Sequence, residues 1–382
     1  MTLVRRTALM VHPGAELYGS DRIFLESAIA LTEAGWRVVV ALPARGPLAD
    51  RLRDQGADVV LCPTPVLRKA ALRPAGVLRL LLEGMRAVAP TLRLLRRTRP
   101  DVVYVNTVTV PLWLLLARST RRPVIAHVHE AEDSAPRLIR TALAAPLLCA
   151  VSVVVNSEAT ARVITRPLPW LRRRIRLVYN GVAGPVHAAA RGGERPDPVR
   201  IVLVGRLSPR KGTDVAVRSI ARLRADGHDV VLELLGSAFS GYEWYERQLE
   251  DLVRRHGLAG VVAFRGFRSD VWDAYRDADI ALVPSRFEPF GNTAVEAQLA
   301  GTPVIVTDVQ GLPETVAQGR YGRVVPADDP DALAEAVSDA LAEWQGTLDT
   351  AAQAREHAQE VFSPQRYRAD IAAIATDVAR CR

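Results

Sequence analysis

The stretch DIALVPSRFEPFGNTAVE, residues 279–296, decides how the second half of this chain folds. It begins as an apolar run typical of a buried strand, turns at Gly291 and continues as an apolar helical pattern. A helix that starts at such a turn presents backbone N–H groups and the positive end of its dipole, which favour a phosphate. Glu288 lies at the turn and Glu296 two helical turns further on. Backbone N–H groups that can bind a phosphate, flanked by two carboxylates, indicate a nucleotide-sugar site. The sugar hydroxyls would donate hydrogen bonds to the carboxylates.

The same alternation of apolar strand and helical pattern runs along the whole chain. Candidate strands are 8–12, 37–42, 58–62, 102–106, 124–128, 151–156 and 176–178, then 200–205, 230–236, 261–265, 279–283, 303–306 and 322–325. Near-continuous apolar strands alternating with helices predict an α/β fold of parallel sheets covered on both faces. A chain of 382 residues is long enough for two such domains.

The two blocks of strands set the predicted domain boundaries. Residues 183–198 are rich in Gly, Ala, Pro and Arg and show no periodicity, which is typical of a linker. We therefore expect an N-terminal Rossmann-like domain at 1–185, a linker at 186–199 and a C-terminal Rossmann-like domain at 200–362. Because ligands bind at the carboxyl ends of parallel strands, the two doubly wound domains should face each other across an interdomain cleft.

Charge is distributed unevenly between these domains. Residues 1–185 carry 27 Lys+Arg and 13 Asp+Glu, a net charge of +14, whereas the remainder carries 23 and 29, a net charge of −6. A basic domain favours an anionic membrane, an anionic substrate or nucleic acid. No aromatic-studded basic groove or zinc-finger spacing is present, so no nucleic-acid partner is expected.

Cysteine usage and hydropathy indicate the compartment. Cys62, Cys149 and Cys381 show no paired spacing, which argues against a disulfide framework or zinc site and favours a reducing, cytoplasmic environment. The N-terminus has no apolar run long enough for a secretory signal. The uncharged run at 141–157 is shorter than a membrane span requires and is interpreted as a helix followed by a buried strand.

A second loop carries phosphate-binding chemistry. GRLSPRKG, residues 205–212, follows the apolar run 201–204 and lacks the glycine spacing of a Walker loop. It places Arg206 and Lys211 together at the predicted end of a strand. A guanidinium can bridge two phosphate oxygens, and an ammonium acts as a point charge. The alternative is a solvated loop, but the carboxylate stretch in the same domain favours a phosphate site.

Four motifs together resemble a known family. GRL and KG within 205–212, EPFG and EA within 288–297, GTPVI at 301–305 and GLPE at 311–314 resemble, in order and spacing, the retaining glycosyltransferases of family 4, also called glycosyltransferase group 1. Weaker matches are the Gly-rich loop ending at Gly19-Ser20 and the pair His129-Glu130, where the family has His-Asp. The resemblance implies a GT-B fold, with residues 363–382 forming a helix that packs back on the N-terminal domain.

The resemblance also implies a role for each candidate residue. Arg206 and Lys211 would neutralise the leaving diphosphate, Glu288 would hold hydroxyls of the transferred sugar and Glu296 those of the ribose. His129 would approach the donor sugar from the N-terminal, acceptor-binding domain. The implied catalytic set is His129, Arg206, Lys211 and Glu288, and the implied donor-binding set is Gly19, Arg206, Lys211, Glu288, Phe290, Gly291, Asn292, Thr293 and Glu296. No metal, other cofactor or protein nucleophile is implied.

Structural alternatives stand beside several of these assignments. His129 follows an apolar run and is compatible with a buried, hydrogen-bonded histidine. Glu288 precedes a proline and would also suit a turn, and Glu296 would suit a solvated helix face. Gly19 precedes a helical pattern and is equally typical of a helix start.

A basic amphipathic segment occupies residues 68–99. Val77, Leu81, Met85, Val88, Leu92 and Leu95 recur at helical spacing, with Arg79, Arg86, Arg93 and Arg97 roughly opposite. Pro90 would kink or divide the helix. Two interpretations remain open: a buried apolar stripe with a solvated basic back, or an interfacial helix that draws the protein to anionic lipid.

The sequence therefore predicts a cytoplasmic, retaining and metal-independent glycosyltransferase, with peripheral attachment to the inner face of the membrane left open. It would transfer a sugar from a nucleoside-diphosphate donor to a hydroxyl of a glycan, a lipid-linked saccharide or a secondary metabolite. Two alternatives remain: a sugar-nucleotide epimerase of the same fold, and a non-catalytic nucleotide-sugar-binding partner in polysaccharide assembly.

Overall fold

The computed structural model describes residues 5–67, 74–130, 133, 136–185, 193–239 and 241–380. The chain divides into two compact units, which we describe separately. Unit 1 comprises Met1–Gly181 and Pro364–Arg382, and unit 2 comprises Val182–Ser363. Residues 186–192 of the predicted linker, 68–73 of the basic segment and Cys381 lie outside the described residues.

Unit 1 contains a parallel sheet with strand order β3-β2-β1-β4-β5-β6-β7. The strands are β1 (Thr7–Val11), β2 (Arg37–Leu42), β3 (Asp58–Leu61), β4 (Val102–Asn106), β5 (Val124–Val128), β6 (Ser152–Val155) and β7 (Ile175–Leu177). The helices are α1 (Gly19–Glu33), α2 (Pro47–Asp54), α3 (Pro74–Thr98), α4 (Pro111–Ser119), α5 (Arg137–Ala144), α6 (Glu158–Thr165) and α14 (Pro364–Arg380).

Both faces of this sheet are buried. In β1, Ala8 and Met10 belong to one apolar cluster, whereas Leu9 and Val11 belong to another. Successive side chains of a strand point to opposite faces, so two clusters fed by one strand require a helix layer on each side. The C-terminal helix α14 packs on α1, where the Tyr367 hydroxyl lies 2.6 Å from Ser27 Oγ.

Unit 2 contains a second parallel sheet, with order β10-β9-β8-β11-β12-β13. The strands are β8 (Val199–Val204), β9 (Val230–Leu235), β10 (Val262–Gly266), β11 (Ile280–Val283), β12 (Val304–Thr307) and β13 (Arg323–Val325). The helices are α7 (Thr213–Ala225), α8 (Glu243–Arg255), α9 (Trp272–Asp277), α10 (Asn292–Leu299), α11 (Leu312–Thr315), α12 (Pro330–Ala342) and α13 (Trp344–Val361).

The two sheets share the same doubly wound topology. In each, the first strand lies in the middle, the next two add on one side and the fourth adds on the other. The direction of winding therefore reverses between β1 and β4 and between β8 and β11, and ligands of such sheets bind at the carboxyl ends of the strands beside that point. The predicted α/β class and the two doubly wound sheets are confirmed, and each predicted strand overlaps an observed one.

The described part of α3 contradicts the buried-stripe interpretation in its first half and agrees with it at Leu95. Val77, Leu81 and Met85 are exposed, Met85 by 66%. The helix is buried in its second half, where Thr91 and Leu95, the last residue of the predicted stripe, are covered. The helix also continues through Pro90 without dividing. At residues 141–157, the chain forms the end of α5, a 3₁₀ turn and the buried β6, and no described helix is long and apolar enough to cross a membrane.

Candidate active site

The stretch 279–296 folds as a strand, a turn and a helix. β11 ends at Val283, and α10 begins at Asn292 directly after Gly291. Gly291 has a φ of 117°, and a Cβ there would lie 2.5 Å from Leu312 Cδ2, so a larger residue would be excluded both by the backbone conformation and by packing. The turn therefore delivers the amino end of α10 to the carboxyl edge of the sheet, where a helix dipole favours an anion.

Lys211 and Glu288 meet at this edge. Lys211 follows β8 on a 3₁₀ turn, and its Nζ lies 2.5 Å from Glu288 Oε2. Both side chains are largely covered, with 24% and 14% of their surfaces exposed. Gly212, next to Lys211, has a φ of 64°, and a Cβ there would lie 1.8 Å from the carbonyl oxygen of Pro284. This close approach of the β8 and β11 loops is what brings the ammonium to the carboxylate.

Glu288 is held by the GLPE segment through its backbone. Its N–H donates to Gln310 Oε1 at 3.1 Å, and its carbonyl accepts from the Gly311 N–H at 3.1 Å. A Cβ on Gly311 would lie 2.2 Å from the carbonyl oxygen of Pro289. The glycine of this motif is therefore required because two backbone segments touch there.

Two arginines of the β8 loop lie on aromatic rings. The Arg206 guanidinium carbon is 4.0 Å from the Phe239 ring centroid, and that of Arg210 is 3.9 Å from the ring of Phe287. Stacking leaves the charge and the N–H edge of a guanidinium available to a phosphate. Arg206 is exposed, which suits a cation that meets a ligand from solvent.

An ion pair between the half-buried Arg286 and the buried Asp214, which no sequence pattern indicated, fixes the same loop. Arg286 donates from both terminal nitrogens to Asp214, at 2.7 and 2.9 Å, and also to the Pro209 carbonyl at 2.7 Å. Tyr245 donates to Asp214 Oδ1 at 2.8 Å. Although burial by itself would raise the pKa of Asp214, the hydrogen bonds from Arg286 and Tyr245 lower it to about 2. Asp214 is therefore ionised at physiological pH and anchors the loop carrying Lys211.

Glu296 lies on α10 and has a buried partner. The Tyr275 hydroxyl lies 3.3 Å from Glu296 Oε2 and 3.1 Å from the Thr293 carbonyl oxygen. Burial raises the pKa of Tyr275 well above its usual range, and the Glu296 charge raises it further. Thr302 of the GTPVI motif donates to the Tyr275 carbonyl at 2.7 Å. This arrangement fixes one carboxylate oxygen of Glu296.

The remaining predicted donor-binding residues of unit 2 differ in their exposure. Phe290 is 2% exposed and its ring packs edge-on against Phe362, so its side chain belongs to the core. Asn292 and Thr293 form the first turn of α10, and Thr293 Oγ1 is buried with no hydrogen-bond partner among the described residues. Phe267, which the sequence analysis missed, is 69% exposed just beyond the carboxyl end of β10.

His129 and Gly19 lie in unit 1. Gly19 is the first residue of α1, and His129 directly follows β5. His129 Nε2 lies 2.9 Å from Asn106 Oδ1, and its ring centroid is 3.9 Å from that of His127. Burial, followed by the effect of His12, lowers the pKa of His129 to about 3. The imidazole is therefore neutral at physiological pH.

Glu130 is half-buried in unit 1. The Thr107 hydroxyl donates to it, and burial raises the pKa of its carboxyl. No group of three or more His, Cys, Asp and Glu side chains in the described ranges is arranged to hold a metal ion. The sequence Asp277-Ala278-Asp279 precedes β11, at the edge of the sheet opposite Lys211, where Asp279 Oδ2 accepts from the Arg200 N–H at 2.7 Å.

Two family descriptions together cover most of the chain. Residues 188–361 match "Glycosyl transferases group 1", and residues 18–183 match "Glycosyltransferase Family 4". The chain belongs to this family of glycosyltransferases. Gly19 and His129 of unit 1 fall within the second description, and every predicted site residue of unit 2 falls within the first.

Similar proteins include curated relatives and solved structures. The D-inositol 3-phosphate glycosyltransferase 2 of Catenulispora acidiphila is 38% identical over 172 residues, which is 44% of this chain and 40% of that protein. A D-inositol 3-phosphate glycosyltransferase of Paenarthrobacter aurescens is 35% identical over 178 residues, or 46% of this chain and 43% of that protein. The alignments thus span less than half of these curated relatives.

Among solved structures, Anabaena HepE in complex with UDP has a TM-score of 0.81 at 21% identity, covering 97% of this chain and 100% of HepE. The sucrose-phosphate synthase of Thermosynechococcus elongatus has a TM-score of 0.75 at 21% identity, covering 99% and 100%. At this identity the similarity establishes the fold, which is that of GT-B glycosyltransferases.

Proposed function

We propose that this glycosyltransferase-family protein transfers a sugar from a nucleoside-diphosphate sugar to a hydroxyl of a glycan, a lipid-linked saccharide or a secondary metabolite, with retention of configuration. The observation that carries the proposal is the meeting of Lys211, Glu288 and the amino end of α10 at one edge of the unit 2 sheet. That edge combines cations for a diphosphate with carboxylates for hydroxyls. HepE, which shares the fold, has been solved with UDP and with UDP-glucose, which supports a UDP-sugar as the first donor to test.

In the proposed reaction, the diphosphate leaves onto the Lys211 ammonium, the Arg206 guanidinium and the N–H groups of α10. The N–H groups of α10 are fixed before the reaction, so they stabilise the developing negative charge without reorganising. Lys211 would exchange its Glu288 contact for phosphate, which frees Glu288 to hold sugar hydroxyls. Glu296, with one oxygen fixed by Tyr275, would hold the ribose. No metal is required by this arrangement, and full activity in EDTA is expected.

The test is the release of nucleoside diphosphate with and without an acceptor. A panel of UDP, GDP and ADP and their sugars, read by thermal shift, identifies the donor because a ligand that binds only the folded protein raises its unfolding midpoint. Diphosphate release that depends on an acceptor, with an α-linked product from an α-linked donor, supports retaining transfer. Interconversion of the donor sugar without an acceptor would establish the epimerase alternative, and binding without either reaction would establish the non-catalytic one.

We also propose that α3 attaches unit 1 to an anionic membrane. Its exposed apolar side chains share one side of the helix, since at ~100° per residue they lie within about 140° of one another. They are Val77, Leu78, Leu81, Leu82 and Met85. Arg79, Arg86 and Arg93 border that side, at about 160–200° on the same scale. An apolar strip bordered by arginines matches the acyl boundary and headgroups of an anionic bilayer.

Vesicle flotation tests this attachment. The full chain should float with vesicles containing anionic lipid at low salt, and less at high salt, because the arginine contribution is screened. Vesicles of neutral lipid alone should bind it weakly. Flotation that is equal on neutral and anionic vesicles, or none on either, would contradict the proposal.

A further inference from the structure

Four polar side chains, three of them buried and one half-buried, form a continuous hydrogen-bonded chain at the carboxyl edge of the unit 1 sheet. Asp21 Oδ1 lies 2.6 Å from His12 Nε2. His12 Nδ1 lies 2.9 Å from Asn106 Nδ2, and Asn106 Oδ1 lies 2.9 Å from His129 Nε2. The first three residues are each 5% exposed or less. The other carboxylate oxygen, Asp21 Oδ2, accepts from the Tyr18 N–H at 2.8 Å.

An ionised Asp21 and a neutral His12 together set the direction of every bond in this chain. An ionised carboxylate only accepts, so His12 must carry its proton on Nε2. A neutral His12 then has a bare Nδ1, which requires the N–H₂ group of Asn106 to face it. The amide oxygen consequently faces His129, and His129 must donate from Nε2. A neutral His129 is thereby left with Nδ1 as its only ring acceptor.

We propose that Asp21, through His12 and Asn106, fixes His129 in the tautomer protonated at Nε2, so that Nδ1 accepts a hydrogen bond from a hydroxyl of a bound substrate. The three are positioning residues, and His129 is the residue that would touch the ligand. The proposal rests on the transferase function proposed above, in which His129 takes part in sugar transfer.

The surroundings of His129 support a neutral ring. The His127 ring packs against it, and Glu130 Oε2 accepts from its backbone N–H at 3.2 Å rather than from its imidazole. Sugar transfer develops positive charge at the anomeric carbon, as in an oxocarbenium ion. A second positive charge close to that carbon would oppose the reaction, whereas a neutral acceptor orients a hydroxyl without this penalty. The hydrogen-bonded chain ends in the amide oxygen of Asn106, which accepts from His129 Nε2 and so keeps the His129 ring in this neutral form.

The variant Asp21→Asn tests the chain at its far end. The Tyr18 N–H still requires an oxygen opposite it, so the new amide nitrogen must face His12 Nε2. His12 then accepts at Nε2 and carries its proton on Nδ1, Asn106 turns over, and His129 accepts at Nε2 and carries its proton on Nδ1. The variant keeps the shape of Asp21 and its contact with the Tyr18 N–H at the start of α1. It reverses the tautomer of His129, which it does not touch. Asp58→Asn, at an exposed carboxylate paired with Arg37 in the same unit, is the matched control.

The first measurement is ¹⁵N NMR of histidine-labelled full-length protein, which distinguishes a protonated from a bare ring nitrogen. The His129 signals are assigned by their loss in His129→Asn. We expect a bare Nδ1 in the wild type and in Asp58→Asn, and a bare Nε2 in Asp21→Asn. The wild-type spectrum needs no variant to fold, and a protonated Nδ1 there overturns the proposal.

The second measurement is kinetic. A histidine held in the wrong tautomer loses catalytic function without losing its position, so kcat of Asp21→Asn should fall by about tenfold or more. The thermal shift caused by UDP should be unchanged because the donor residues of unit 2 are intact. An unchanged kcat with a switched tautomer overturns the functional part of the proposal. A correct wild-type tautomer in a protein that transfers no sugar supports the positioning chain and overturns the proposed function instead.

Discussion

The carboxyl edges of the two sheets are built on the same strand order but carry opposite chemistry. At the edge of unit 1, the buried His12 and Asn106 and the half-buried His129 are joined by hydrogen bonds, and His129 is neutral. At the edge of unit 2, Lys211 pairs with Glu288 and Arg286 pairs with Asp214. The shared doubly wound topology therefore supplies only the place for a site, and the side chains at the strand ends decide what is bound.

The contrast matches the two parts of the proposed reaction. A diphosphate carries charge that must be met by cations and by N–H groups, which unit 2 supplies. A sugar hydroxyl is neutral and needs oriented acceptors and donors, which the chain of unit 1 supplies. Removing a charge from the carboxyl edge of unit 2 should therefore lower activity or stability more than a change outside that edge. The following predictions test that order.

Lys211→Ala should have the largest effect. Removing one fixed group that stabilises developing negative charge lowers kcat by about 10²- to 10³-fold. We also expect the thermal shift caused by UDP to shrink, because one of the cations proposed to meet the diphosphate is lost. Steady-state kinetics and thermal shift with the same donor measure both effects.

Arg247→Ala is the control for Lys211→Ala, because Arg247 is an exposed cation on α8. It should leave kcat unchanged. A Lys211→Ala protein with wild-type kcat would show that the two edges do not differ as proposed, since unit 2 would then not depend on its charge.

Arg286→Met should destabilise unit 2 next most strongly. It leaves the buried Asp214 carboxylate without its bidentate partner while Arg218 still donates to it, which costs up to about 3 kcal/mol. Urea unfolding gives the change in the free energy of unfolding. Arg222→Met, at a guanidinium that pairs with Asp226 on the surface of α7, should cost much less.

The same ion pair predicts acid sensitivity. The pKa of Asp214 is lowered to about 2 in the folded protein from an ordinary value of 3.8. A lowered carboxyl pKa stabilises the fold above the unfolded value, and this contribution is lost as pH falls from about 4 toward about 2. The wild type should lose more stability than Asp214→Asn across that interval. Parallel pH profiles for the two proteins would contradict the assignment.

Glu296→Gln should have a smaller effect, confined to donor binding. The amide keeps the shape but replaces one acceptor of the carboxylate, and a hydrogen bond to a charged group contributes about 1.5 kcal/mol, or roughly tenfold in affinity. KM for the donor should rise by this factor with kcat nearly unchanged. A fall in kcat with KM unchanged would move Glu296 from the ribose to the reacting sugar.

Replacing Leu81 and Leu82 on α3 by serine should leave turnover of a water-soluble acceptor unchanged, because both side chains are exposed and lie outside the two edges. Flotation with anionic vesicles should fall. Leu138→Ser, at an exposed leucine on α5, is the control and should float like the wild type. Reduced turnover in the α3 variant would show that this helix supports the site as well as the membrane.

The sequence predicted the strands well because each is a short apolar run between turn residues, and such runs are local. It also predicted the loop of Arg206 and Lys211 and the turn before α10, because glycines mark positions where the backbone must turn with positive φ. It did not predict the ion pair of Arg286, although this residue lies within the stretch 279–296. Its partner Asp214 is 72 positions away, and nothing local marks an arginine as buried and paired.

The case of α3 shows the same limit. Periodicity predicted an apolar side, and the helix has one, but periodicity does not say which side the rest of the protein covers. Packing covers Thr91 and Leu95 in the second half and leaves Leu81 and Met85 exposed in the first.

The sequence by itself determined two doubly wound sheets and the residue types at their carboxyl edges, because hydrophobic period and glycine conformations are properties of short segments. Only the tertiary structure decided which of those residues touch. It joined Asp21 to His129 through His12 and Asn106, across 108 positions of chain, and it set Lys211 against Glu288. Hydrogen bonds and ion pairs act over about 3 Å, and only folding brings distant positions within that range.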